Sequence, residues 1–293
     1  MRSVTRLIGV FSFVAILGAG KAFAGPVIID GTDANDHGST NGVANFNGWE
    51  YMQRALENLA SEMLAANPAA PQTVLALGLA GGSGTQADAA YTSAFSLGIG
   101  TTGWSSSVAD GAAAITAALA AISTASTSIL YIPTFGNPSG DLAATELAAI
   151  NAAAAQIAAF VNAGGALFAM GESGADAWGW LTTLLPGLIV TDIGGGGIGT
   201  NMTLTAAGTT AFPGLTDAEL ANADPWHNYF SGDLGSLQVL ATAPDNAGVT
   251  RNIILGGGRG TVIQPTIPEP ATLLLFGSGL AGLYRRRMRK AQA

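Results

Sequence analysis

The chain has 293 residues, 48% hydrophobic and only 10% charged, with a formal net charge of −8 and no cysteine. Disulfides, zinc–thiolate and iron–sulfur centres and a cysteine nucleophile are therefore excluded. The roughly 240 residues between the two terminal segments suffice for a sizeable core without cross-links.

Arg2 and Arg6 precede an apolar stretch from Leu7 to Ala19, and Ala22-Phe23-Ala24 gives a small-x-small site. That is the order of a secretory signal peptide, 1–24, cut between Ala24 and Gly25 by signal peptidase. An uncleaved membrane anchor is the alternative.

Val27-Ile28-Ile29 then reads as a buried first strand ending at Asp30, followed by a polar loop from Gly31 to Phe46. Trp49, Met52, Leu56, Leu59 and Met63 recur at helical spacing, with Asn47 as N-cap, Glu50 three residues on and Asn67-Pro68 as the stop. Thr73 to Leu79 predicts a strand, Gly81 to Gly84 a loop and Thr85 to Leu97 a helix. Asp110 to Ile122 is an alanine-rich helix, and Ser128 to Ile132 is a strand closed by Pro133. The loop Thr134 to Gly140 leads into the clearest helix, Leu142 to Asn162, ended by Gly164-Gly165. Ala166 to Met170 is a strand, Gly171 to Gly174 a tight turn, Trp178 to Leu185 a helix and Leu188 to Ile193 a strand. After Gly194 come short strands at Met202–Thr205, Leu237–Ala241, Ile253–Leu255 and Thr261–Ile263. Strand–helix alternation followed by short strands predicts an α/β domain, 25–264: a mainly parallel sheet flanked by helices, with extra short edge strands near the C-terminus.

The last 29 residues, 265–293, form a tail of different character. Pro268-Glu269-Pro270 stays extended, Ala271 to Tyr284 is apolar, and Arg285, Arg286, Arg287, Arg289 and Lys290 close the chain. A helix over 271–284 is about 21 Å long, short of the roughly 30 Å hydrocarbon core of a bilayer. The basic end stays cytoplasmic under the positive-inside rule. The alternative is a buried core helix with a solvated basic end. The order of motif, apolar run and basic cluster resembles the PEP-CTERM sorting signal of Gram-negative bacteria. The resemblance implies a transient inner-membrane tether, recognised by an exosortase and removed near Pro268, Glu269 and Pro270. Arg285, Arg286 and Arg287 hold its inner end.

Without both terminal segments the body, 25–267, keeps three arginines against eighteen acids, a net charge of −15, and no lysine. Such a surface repels nucleic acid and suits a soluble exported protein. The body is loosely similar to the class I glutamine-amidotransferase-like fold and its trehalose-utilisation-like relatives. The carriers are the strand–Asp–His-Gly start at Asp30 to Gly38 and the turn Gly171-Glu172-Ser173-Gly174. Phe212-Pro213-Gly214-Leu215 and Trp226-His227-Asn228-Tyr229 complete the set. The resemblance implies a flavodoxin-like or amidotransferase-like sheet. It implies no glutaminase, because the nucleophile cysteine is absent.

Ligands of parallel α/β sheets bind beyond the carboxyl ends of the strands, which selects the loops after Asp30, Leu79, Ile132 and Met170. The turn with Glu172 and Ser173 sits where a nucleophile elbow would, with His37 or His227, the only histidines, as its base. However, Ala175 replaces the last glycine of that pattern, and a structural turn with Ser173 as helix cap is the competing reading. Asp30, Asp33 and Asp36 are candidate calcium ligands, against an ordinary polar loop with Asx-turns. The twelfth position from Asp33 is Ala44, so the EF-hand spacing fails. Calcium is the single cofactor candidate. Gly82-Ser83-Gly84-Thr85-Gln86-Ala87 fits a dinucleotide loop but follows the second strand. Trp226, His227, Tyr229 and Phe230 offer faces for sugar rings, or else cover the sheet edge. The expected function is an exported, non-catalytic binding or structural module at the cell surface or in an exopolysaccharide matrix. The alternative is a secreted serine hydrolase using Ser173.

Overall fold

A computed structural model describes residues 25–79, 86–135, 142–171, 175–193, 201–221 and 226–257. The chain opens with β1 (Val27–Asp30), a hairpin of β2 (Gly38–Thr40) and β3 (Asn45–Asn47), and the long helix α1 (Gly48–Ala66). Next come β4 (Thr73–Leu77), α2 (Gln86–Leu97), β5 (Ser105–Ala109), α3 (Ala112–Ala121) and β6 (Ile129–Ile132). Two helices, α4 (Ala144–Ala152) and α5 (Ala154–Asn162), lead to β7 (Ala166–Met170), then α6 (Leu181–Leu184) and β8 (Leu188–Asp192). The remainder is β9 (Thr203–Leu204), α7 (Ala206–Ala211), α8 (Asp217–Ala221), β10 (Asn228–Gly232), β11 (Gln238–Pro244) and β12 (Thr250–Gly256).

Among the described residues ten strands form one sheet, in the order β5-β4-β6-β7-β1-β12-β10-β8, with β11 branching from β12 and β9 pairing with β11. The first five are parallel; β12, β10 and β8 join antiparallel. β1, β6 and β7 are buried along their whole length, as continuous apolar runs in a doubly covered sheet must be. Alternate residues serve opposite faces. Ile28, Val74, Ile129, Tyr131 and Phe168 pack under α1 and α2, while Ile29, Leu75, Leu130, Ile132 and Leu167 pack under α3, α4 and α5. Helices carrying the chain towards β5 thus share one face and those carrying it back share the other, as a single crossover hand requires. Under α2 the Tyr131 ring stacks on Tyr91 at 5.0 Å and tilts against Phe168 at 5.4 Å. Such contacts add about 0.5–1.5 kcal/mol each beyond area burial.

Several elements differ from the sequence reading. The Gly31–Phe46 loop contains the β2–β3 hairpin. β5 is the parallel edge strand; its Ser-Ser-Ser-Val stretch is exposed and carries no apolar run to betray it. The expected helix 142–162 breaks at Ala153, where α4 and α5 bend by 58°. There the Ala153 N–H is shared between Ala149 O and Ile150 O, and Asn151 Oδ1 accepts the Trp180 N–H at 2.8 Å. Among the described residues no single helix is long and apolar enough to cross a membrane. Asn47 takes the N-cap position of α1 but makes no side-chain capping bond, and Glu50 turns instead to Arg54. Trp178 to Leu185 is a 3-10 turn at Ala175–Trp178 followed by the single turn α6. β12 is no edge strand: it lies between β1 and β10 and also pairs with β11. The predicted signal peptide 1–24, the glycine loop Gly81 to Gly84, strand Thr261–Ile263 and the tail 265–293 lie outside the described residues.

Candidate functional site

The site grows from the carboxyl end of β1. Asp30 ends the strand fully buried, and the next turn folds back on it. The Thr32 N–H donates to Oδ1 at 2.8 Å and the Thr32 hydroxyl to Oδ2 at 2.8 Å. This is the local Asx-type bonding that aspartate favours over extended structure. Burial pushes the Asp30 carboxyl up to about 8, against the two Thr32 bonds and with help from the nearby Asp33 charge. The Tyr51 phenol of α1, also buried, lies beside this carboxyl and is driven well up by burial and by Asp30.

Beyond Thr32 the loop is fixed from three sides. Asp36 N–H donates to Asp33 O at 2.8 Å, closing a turn. Asn35 exchanges hydrogen bonds with Thr134, just past β6, at 2.9 and 3.2 Å. The Trp49 indole of α1 donates to Asn35 O at 3.0 Å. The Gln86 amide, opening α2, donates to Asp36 O.

The second half of the site comes from the start of β10. His227 N–H and Asn228 N–H both donate to Gly31 O, at 2.8 and 3.0 Å, the double donation of a β-bulge. A Cβ on Gly31 would lie 2.0 Å from Asn228 O, so only glycine admits this approach. The bulge turns the His227 ring onto Asp33. His227 Nε2 stands 3.3 Å from Asp33 Oδ2, and His37 Nε2 stands 3.0 Å from the same oxygen. The chain's two histidines thus meet on one carboxylate oxygen. The Asp33 and His227 side chains are 3% and 6% exposed, whereas His37 is 38% exposed, so His37 is the member that meets solvent. Burial alone would raise the Asp33 carboxyl, but the His227 and His37 rings set against its Oδ2 outweigh it and hold it below its ordinary value. Asp33 Oδ1 is buried and has no hydrogen-bond partner among the described residues. Chemically, an ionised carboxylate orients two imidazoles through Nε2 and leaves each Nδ1 facing away, the second-partner role aspartate plays toward an acid–base histidine.

The structure therefore brings Asp33, His37 and His227 together. It does not assemble Asp30, Asp33 and Asp36 as a ligand set: Thr32 occupies both Asp30 oxygens and the imidazoles share Asp33 Oδ2. Among the described residues no three His, Cys, Asp or Glu side chains are placed to hold a metal ion. Glu172 and Ser173 lie outside the described residues, as does the loop before Gln86 and Ala87. Gly171, just before that turn, anchors the end of β7 by donating to Asp30 O at 2.9 Å. The aromatic cluster is strand and core: Trp226 and Phe230 are buried on opposite faces of the sheet, and Tyr229 lies under the Arg251 guanidinium at 4.6 Å. Clefts of about 200 Å³ beside Arg54 and 170 Å³ beside Trp178 lie away from the histidine pair. Both are below the usual 300–1,000 Å³ of small-molecule sites. Thr32 and Asn35 were not singled out in the sequence, and Thr134 entered only as the start of a selected loop. Thr134 was nonetheless findable, since it opens a loop after a predicted parallel strand.

Fold and site together define a mixed α/β domain with a carboxylate-bridged histidine pair at the carboxyl edge of its sheet. The family model of the PEP-CTERM protein-sorting motif matches residues 266–290. That motif implies recognition by an exosortase and an exported protein, typically with a C-terminal membrane anchor before processing. No curated protein and no solved structure matches the chain, so the amidotransferase-like resemblance has no neighbour behind it.

Proposed function

We propose that the chain is an exported, exosortase-sorted protein whose domain, 25–264, serves as a non-catalytic binding or structural module at the cell surface or in an exopolysaccharide matrix. The PEP-CTERM motif at residues 266–290 is the observation that carries the sorting part of this reading. The lysine-free body with its net charge of −15 fits export, because such a surface stays soluble and repels nucleic acid. Signal peptidase acts after Ala24, the tail tethers the chain in the inner membrane, and the exosortase cuts near Pro268-Glu269-Pro270. The sheet is read as a flavodoxin-like variant. β4 to β7 follow the spatial order β5-β4-β6-β7, the 2-1-3-4 of doubly wound folds, with β1 taking the fifth place. Mass spectrometry of the exported protein tests the processing. The expected product begins at Gly25 and ends near the Pro-Glu-Pro motif; an extracellular chain still carrying Arg285 to Lys290 would overturn it.

The Asp33–histidine geometry favours a second reading, a secreted serine hydrolase in which Ser173 attacks an ester or glycan acyl group. His37 or His227 would be its base and Asp33 the orienting acid. Labelling by a fluorophosphonate that disappears in both Ser173→Ala and Asp33→Asn would establish it. Absence of labelling in the folded wild-type protein would leave the binding module.

A further inference from the structure

The first residue of the body is built into the end of a helix. Gly25 N lies 2.7 Å from Val161 O, in the last turn of α5. That helix closes with Gly164 at φ +100°, Gly164 N–H donating to Val161 O at 2.9 Å and Gly165 N–H to Phe160 O at 3.0 Å. This is the paired bonding of a Schellman end. A Cβ on Gly25 would lie 1.9 Å from Gly165 O, so no side chain fits between β1 and the helix end.

From this contact we infer that the α-ammonium created at Gly25 by signal-peptide removal is a structural group, docked on Val161 O as a charged cap on the C-terminus of α5. The inference rests on cleavage after Ala24. Carbonyl groups at a helix C-terminus carry partial negative charge and favour a cation. In the precursor Gly25 supplies one amide N–H to this carbonyl; after the cut the same atom supplies a charged donor, and charge-assisted bonds are roughly twice as strong. Among the described residues of the segments packed here no rival charge stands. Residues 26–29, α5 and 163–170 contain no ionisable side chain. On neighbouring β12, Ile28 pairs with Gly256, which puts Arg251 beyond the Asp30 end of β1. Processing thus completes the fold at the edge opposite the histidine site.

The body also makes the group addressable. Its cations are all arginine, so once both terminal segments are removed the Gly25 amine is the only primary amine in the chain. The test is acetylation of the exported protein, and of a chain trimmed from a fusion to begin at Gly25, with an N-hydroxysuccinimide ester. Native protein should react about tenfold more slowly than protein in denaturing urea, because the docked amine reacts only when the terminus opens. Fully acetylated protein should melt about 3 °C lower than free-amine protein near pH 6. That gap should close near pH 10, above the ordinary α-amine range of about 7.7–8.0, which separates lost charge from added bulk. Equal native and denatured rates, or equal melting of the two forms near pH 6, would overturn the docking. If the modified peptide from exported protein begins elsewhere than Gly25, the processing reading fails instead, and the trimmed chain alone decides the docking.

Discussion

Asp30 at the end of β1 and Asp33, three residues on in the following loop, take opposite protonation states at neutral pH. Asp30, buried and pushed up to about 8, keeps its proton, while Asp33, pulled below its ordinary value by two imidazoles, does not. Because the Asp30 carboxyl is raised on folding, the folded state holds that proton more tightly than the unfolded chain. Its contribution to stability is complete below the unfolded value of 3.8 and drains away as pH rises towards about 8. Asp30→Asn mimics the neutral acid and abolishes this loss. The variant should match wild type near pH 4 and be more stable near pH 7, by up to about 4 kcal/mol at 1.36 kcal/mol per unit. Urea unfolding at the two pH values measures it. A variant less stable at both would mean that the Thr32 bonds need a carboxylate.

Asp33 runs the other way. Its folded value is depressed, so its contribution is present above pH 3.8 and is lost as pH falls through the lower folded value. Asp33→Asn leaves His227 buried beside a neutral amide and removes the charged acceptor from both rings. We expect a loss of about 2–3 kcal/mol near pH 7, discounted on the His37 side because that ring is partly exposed. The difference should shrink towards pH 3. His227→Asn should cost more than His37→Asn, since the buried partner is the less screened. Equal costs would place the cluster's weight in the solvent-facing pair.

The parallel half of this fold was legible because β1, β6 and β7 are uninterrupted apolar runs, and the rule that ligands gather at strand carboxyl ends picked out Asp30, Asp33, His37 and the Thr134 loop. What escaped notice had physical reasons. β5 needs apolar residues on neither side, being an edge strand with three exposed serines. β10 was hidden because Trp226 and Phe230 look like a loop cluster until a bulge puts them on opposite faces. The meeting of His227 with Asp33 depends on the antiparallel return of β12 and β10 beside β1, a long-range pairing that local pattern does not encode. The three carboxylates read as one group because spacing along the chain says nothing of burial. Asp30 is buried and bonded to Thr32, with Tyr51 beside it.

Asn47 carries strain at the entry to α1. Its φ is 58° and ψ −131°, a conformation natural to glycine, and its side chain makes no capping bond in return. The geometry is imposed by the β2–β3 hairpin, whose register pairs Asn47 with Gly38, and by the Gly48 N–H bond to His37 O at 2.9 Å. Asn47→Gly should therefore be neutral or stabilise by about 0.5 kcal/mol, relief of strain exceeding the added chain entropy. Asn47→Ala should cost about 1–2 kcal/mol. Thermal melting of both variants checks the ordering; an alanine variant as stable as the glycine one would show that the hairpin relaxes without cost.

The sorting tail is tested by its charges. Residues 266–290 match the PEP-CTERM motif, and the apolar run Ala271 to Tyr284 inside it is about 21 Å long as a helix. Under the proposed tether so short a segment would hold poorly in a bilayer core of roughly 30 Å, and the basic end would do much of the anchoring. Replacing Arg285, Arg286 and Arg287 with glutamate leaves Arg289 and Lys290 against three new acids, which reverses the bias that would keep this end cytoplasmic in the proposed tether. In a host with its exosortase, the variant should accumulate uncut or slip through the membrane with its tail attached, read as a mass increase of the exported protein. Truncation after Tyr284 should do the same, since it removes the cations without adding repulsion. Normal cleavage of both variants would show that the exosortase reads the Pro-Glu-Pro segment alone and that the basic end is not part of the tether.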